Sequence, residues 1–206
     1  MKTTLILGGL AVMLATARSQ DRFPAIPPDQ MTPAQHRVAD AIVAGPRKSL
    51  NGPFNAWLRS PELADRLQKV GEYLRFNTSL PPRLNEFAIL ITARHWTSQY
   101  EWFAHYPLAI KAGLDPKVAA DLAAGRRPAG MKEDEALIYE FSTQLHRDKK
   151  VSDAIYQAAV GKFGEQGTMD LIAVNGYYDL VSMTLNVAEV GLPAGEALPL
   201  KPVPKE

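Results

Sequence analysis

The stretch SQYEWFAH, residues 98 to 105, sets Ser98, Glu101 and His105 at spacings of three and four within a largely apolar segment. On a helix such spacings bring side chains onto one face. A carboxylate one turn before an imidazole is an acid–base pair, because an imidazole titrating near 6.5 can give or take a proton around neutrality. Glu86 and Arg94 lie upstream. Wound at about 100° per residue as one helix, Arg94, Ser98, Glu101 and His105 share an arc of about 60°, with Glu86 at its flank. Polar groups gathered on one stripe of an apolar helix must satisfy one another or face a cavity. A metal reading of Glu86, Glu101 and His105 is weaker, because divalent clusters of this kind usually add a second His at matched spacing. No metal is expected.

The elements that must position these residues read as helices throughout. Thr32, Pro33 and Gln35 spell a capped helix start, with the helix running to about Ala44. Ser60-Pro61 opens a second helix whose apolar stripe reads as Leu63, Leu67, Val70 and Leu74. From Pro82 to His105 there is no Gly and no further Pro, so one long central helix is expected, ended or kinked by Pro107. A short helix to Ala112 follows, then one capped by Asp115-Pro116. Further helices are expected at 132–148, 152–163 and 166–189. No alternating strand pattern occurs, so the fold class is all-α. Residues 18–49 read as a flexible lead-in plus first helix, 50–192 as the main helical domain, and 193–206 as a loosely ordered Pro-rich tail.

Residues 1–17 read differently. Lys2, an apolar run to about Ala15 and the small residues Ala15 and Ala17 spell a cleavable signal peptide, which predicts an exported, periplasmic or secreted protein. Cleavage removes Lys2 from 23 basic residues and leaves 22 against 22 acidic ones. That balance excludes an electrostatic footprint for nucleic acid or an anionic membrane surface. The chain has no cysteine. Thiol peroxidase, thiol hydrolase and zinc–thiolate chemistry are therefore excluded, and the roughly 190 remaining residues must stand on their core without disulfides.

At Glu86, Ser98, Glu101 and His105 the chain resembles the carboxymuconolactone decarboxylase family within the alkylhydroperoxidase-D-like superfamily. Its peroxidase branch carries Glu-x11-Cys-x2-Cys-x3-His. Here the spacing is kept but Ser98 and Glu101 stand at the two cysteine positions. YEWFAH, Tyr100 to His105, resembles the Tyr-Glu-Trp-x-x-His-like stretch of the decarboxylase branch, and GRRPAG and GYYDLVSMTLN are similar to later segments of it. The resemblance covers roughly residues 50 to 195. It implies an alkylhydroperoxidase-D-like helical bundle, assembly into trimers or hexamers, and a cofactor-free lyase reaction on a small unsaturated carboxylate or lactone.

On that reading His105 is the general acid/base, Glu101 its proton partner, and Glu86 a carboxylate that fixes the imidazole tautomer. Arg94 is the expected clamp for a substrate carboxylate, where a planar bidentate donor fits. Ser98, Tyr100, Tyr177 and Tyr178 complete the expected substrate-binding set. Trp102 reads as core, and His36, His95 and His146 as isolated. The family's reaction belongs to intracellular catabolism whereas this N-terminus points to export, so a related lyase or isomerase acting on an extracytoplasmic acid or lactone fits equally well. The alternative of a different class is a binding protein that sequesters a small carboxylate in the same pocket without turnover.

Overall fold

Proline placement and side-chain caps set most helix starts. The Thr32 hydroxyl accepts from the Gln35 amide while the Gln35 side chain accepts from the Thr32 amide, and α1 runs Pro33–Ala44. Pro61, Pro82 and Pro116 open α3 (Pro61–Phe76), α4 (Pro82–His95) and α6 (Pro116–Ala123), each supplying the fixed φ of a first helical turn. The remaining helices are α2 (Phe54–Trp57), α5 (Gln99–Lys111), α7 (Glu133–Asp148) and α8 (Asp153–Ala188). This computed structural model describes residues 21–202. Among them the fold is all-helical, with no strand and no helix long and apolar enough to cross a membrane. The expected signal peptide lies outside the described residues.

Helix α4 is the centre of the bundle. Every residue from Leu84 to Arg94 is buried, and the helix packs against α5, α6, α7 and α8. Burial on all sides explains the uninterrupted apolar run that a surface helix would not carry. Its polar side chains tie it to its neighbours. Asn85 donates to the Leu74 carbonyl at the end of α3, and Arg83 pairs with Asp134 and Glu135 at the start of α7.

The expected single helix over 82–105 is two. The chain breaks at Trp96–Ser98, with Thr97 at φ +48°, a left-handed conformation that a β-branched residue adopts only when its surroundings hold it. Two contacts hold it. Asn186 of α8 donates to the Trp96 carbonyl, and the C-terminal segment docks beside the break. There Gln99 exchanges two hydrogen bonds with the Leu200 backbone, Arg94 donates to the Lys201 carbonyl, and the Leu200 side chain is buried. The Pro-rich tail is thus pinned at Leu200 rather than loose. Pro107 does not end α5, which runs through it to Lys111.

Three other expectations shift. In α3 the buried face is Ala64, Gln68, Gly71 and Leu74, while Leu63 and Val70 are about half exposed (48% each). Small residues face inward there because α3 approaches α8 closely. The lead-in is anchored as well: Asn55 and Arg59 hydrogen-bond the backbone of Phe23, Pro24 and Ile26. The two helices expected at 152–163 and 166–189 form α8, divided by Gly164 at φ +70°.

Asp170 of α8 secures the turn that feeds α4. It accepts from the Ser79 amide and hydroxyl, from Thr78 Oγ1 and from Tyr73 Oη, at 2.7 to 3.2 Å. Burial would raise its pKa, but these donors outweigh that and hold it below the usual carboxylate range. Asp170→Ala strands an amide and three hydroxyls and is expected to cost roughly 3 kcal/mol in urea unfolding. A loss under about 1 kcal/mol would mean that the turn is anchored otherwise.

Candidate functional site

Because the chain breaks after His95, α5 folds back against α4 and the imidazole of His105 meets Glu86 across the helix pair. Glu86 Oε2 lies 2.7 Å from His105 Nδ1, and Glu101 Oε1 lies 3.0 Å from His105 Nε2, one turn back on α5. All three side chains are buried. Burial of the ring opposes its charge, but Glu101 and then Glu86 outweigh it and push His105 up to about 9. At neutral pH the ring is therefore an imidazolium, donating from both nitrogens to carboxylates.

Glu101 and His105 open onto a cavity of about 230 Å³. Glu101 lines that space, and among the described residues its Oε2 has no hydrogen-bond partner. Glu86 sits behind the ring and does not line the cavity. Phe54, Tyr177, Tyr178 and His105 give one wall its rings, and with Trp57 behind them they follow one another edge-to-face at centroid separations of 5.1 to 6.1 Å, a geometry that suits ring quadrupoles. Tyr100 closes another side, with its hydroxyl bonded to the Gly52 backbone. Burial raises the phenols, Tyr177 to about 12 and Tyr178 well above its ordinary value, so both are neutral donors.

The structure thus brings together Glu86, Glu101, His105, Tyr100, Tyr177 and Tyr178. Two expected residues fall elsewhere. Arg94 is not a clamp at this site: it points away from the cavity and donates to Lys201. The wheel that grouped it with Glu101 assumed one continuous helix, and the break at Thr97 turns the two halves apart. Ser98 is wholly buried outside the cavity, at the α5 start, with its Oγ unpartnered. Trp102 is core.

The guanidinium groups that do line the cavity are Arg47 and Arg75. Arg47 comes from the loop between α1 and α2, with its Cζ 4.8 Å from the Phe54 ring centroid and 5.8 Å from that of Phe76. GPRKSLNGP reads in sequence as a plain loop. Only its Arg among Gly and Pro hinted at more, and nothing local placed it near residue 105. His146 and His95 are not isolated either. Their rings stack at 4.6 Å, and His146 Nε2 meets Thr92 Oγ1 at 3.0 Å. Burial pushes His146 down to about 4; Asp179 opposes this and His95 adds to it. Among the described residues no group of three or more His, Asp or Glu is arranged to hold a metal ion.

No protein-family model matches the chain, and no curated protein or solved structure matches it either. The functional reading rests on the residues themselves.

Two outcomes follow from this geometry. The folded state keeps a proton on His105 between its ordinary 6.5 and about 9, so its contribution is complete below 6.5 and declines as pH rises through that window. The loss is about 3 kcal/mol at most. His105→Gln is expected to flatten this slope in urea unfolding series run across the window. Gly71→Ala places a methyl 2.0 Å from Tyr177 Oη and 2.6 Å from Arg47 Nη2; such overpacking is expected to cost about 1–3 kcal/mol, read as a lowered melting temperature.

Proposed function

We propose that the protein is a cofactor-free acid–base enzyme of the carboxymuconolactone decarboxylase type, acting on a small unsaturated carboxylate or lactone. The observation that carries this reading is the buried Glu86–His105–Glu101 chain, which ends in a carboxylate facing an aromatic cavity. Its chemistry is proton delivery. When a carboxylate leaves a conjugated lactone, the carbon–carboxyl bond breaks, carbon dioxide departs, and the electron pair moves into the conjugated carbonyl as a dienolate. A proton must then reach carbon. His105 passes its Nε2 proton through Glu101 to that carbon, and the neutral ring left behind keeps its Nδ1–H on Glu86, which fixes the tautomer. Solvent returns the proton between turnovers.

Glu86, His105 and Glu101 are themselves buried, so water competes little with the contacts among them. His105 does not address the substrate itself, because both nitrogens are taken by carboxylates; Glu101 is the group in contact. Glu86 is a positioning residue.

That full engagement of His105 also favours a second reading, a protein that binds the same small carboxylate without turning it over. Exchange in heavy water separates the two. The enzyme is expected to wash deuterium into a bound unsaturated acid or lactone, and the binder is not.

Glu101→Gln and His105→Gln are expected to remain folded by thermal melt and to lose at least about a hundredfold in turnover, the usual scale of a lost general acid. Full turnover in both folded variants would sink the reading.

A further inference from the structure

The cavity wall holds a cation that no carboxylate among the described residues pairs with. Arg47 Nε and Nη2 are shut off from solvent and have no hydrogen-bond partner. Neither Arg47 nor Arg75 forms an ion pair among the described residues. Arg47 as a whole is half-buried, but a guanidinium donates five hydrogens in a rigid fork, and leaving two of its nitrogens dry and unpaired is costly. The cost is tolerated where a ligand supplies the missing acceptor.

The surroundings are built to hold that guanidinium in place. Phe54 and Phe76 stack near it, a cation–π arrangement that fixes its plane without using its N–H groups. Gly71 of α3 supplies the room. A Cβ there would stand 2.0 Å from Tyr177 Oη and 2.6 Å from Arg47 Nη2, so the two tips approach one another over the bare glycine. Among the described residues the Tyr177 and Tyr178 hydroxyls also lack hydrogen-bond partners, although buried tyrosines normally find one. Unpartnered donors from two separate elements, the α1–α2 loop and α8, thus converge on one cavity.

The charges agree. Arg47, Arg75 and protonated His105 face or border the cavity against Glu101 and Glu86, a surplus of one positive charge.

We infer that Arg47, backed by Tyr177 over Gly71, is a recognition subsite for a carboxylate of a flat, conjugated small molecule. The inference deepens the proposed function and rests on the same cavity, but it does not need catalysis. It also specifies which carboxylate is held. An ion pair with a guanidinium stabilises the charged acid and so resists loss of carbon dioxide from it. The group on Arg47 is therefore one that the ligand keeps, while the reacting carbon lies beside Glu101.

Thermal melts of the full chain in low-anion buffer test this, with sodium benzoate and trans-cinnamate as probes and benzamide and cinnamamide as neutral controls. The carboxylates are expected to raise the melting temperature and the amides are not, since only a ligand of the folded state stabilises it. Arg47→Met keeps the stem packed on Phe54 and removes the charge. It is expected to melt higher than the parent without ligand and to weaken carboxylate binding about tenfold or more; Arg47→Lys should fall between. If no carboxylate stabilises the parent, if the amides match the acids, or if Arg47→Met responds like the parent, the subsite is wrong. Glu101→Gln separates the two ideas: it should keep the carboxylate response while losing turnover. A variant at Glu101 with full turnover overturns the acid–base reading and leaves the subsite standing.

Discussion

An imidazolium enclosed between two carboxylates is the constraint around which this fold is arranged. Three ionised groups leave water together, and each would be costly alone. They are tolerable only as a set, at hydrogen-bond distance, with one carboxylate on each ring nitrogen. Glu101 reaches Nε2 from one turn away on the same helix, which any helix permits. Glu86 reaches Nδ1 from another helix, which requires α4 and α5 to fold against each other. The corner at Trp96–Ser98 is the consequence. Its left-handed Thr97 is held by Asn186 on one side and by Gln99, Arg94 and the Leu200 segment on the other. A tail segment distant in sequence thereby helps fix how Glu86, Glu101 and His105 meet.

The same sequence shows what happens to a buried histidine without that provision. His146 sits against Thr92, with Asp179 at 3.5 Å and the His95 ring stacked on it. One loosely placed carboxylate does not offset burial, and the ring is held neutral, near 4. His105 has two carboxylates at closer range and is held charged, near 9. Burial alone predicts neither outcome; the number and distance of the anions decide. The polar core thus contains one neutral histidine that serves packing and one charged histidine that borders a cavity.

Much of the fold was legible because helices announce themselves locally. Thr32-Pro33 with Gln35, the prolines at 61, 82 and 116, and the glycine breaks gave helix starts and ends that the structure repeats closely. The pairing of Glu101 with His105 was legible for the same reason, being an i, i+4 contact. What could not be read depends on contacts distant in sequence. Thr97 carries no turn signature, and only Asn186 and Leu200 make its conformation affordable; without that break the helical wheel wrongly put Arg94 beside His105. The buried face of α3 was misread because its inward residues are small. Gly71 faces inward to receive Tyr177, a partner more than a hundred residues later, while the larger Leu63 and Val70 stay half exposed. Arg47 was missed because a loop arginine has no period.

The direction of the charge bias bears on which chemistry such a site favours. A general base must be unprotonated before it acts, and a histidine held near 9 is protonated at neutral pH. His105 is therefore a proton donor at rest, while Glu101, which lines the cavity, stands beside it as a carboxylate. Giving one up converts an imidazolium flanked by two carboxylates into a neutral ring flanked by two carboxylates, which leaves the site one charge more negative. That step becomes easier if the acceptor is itself a developing anion nearby, since the proton then moves between partners of like demand. A dienolate formed by loss of carbon dioxide is such an acceptor. The resting site therefore holds its proton on nitrogen between two carboxylates, and those same two carboxylates require the helix corner.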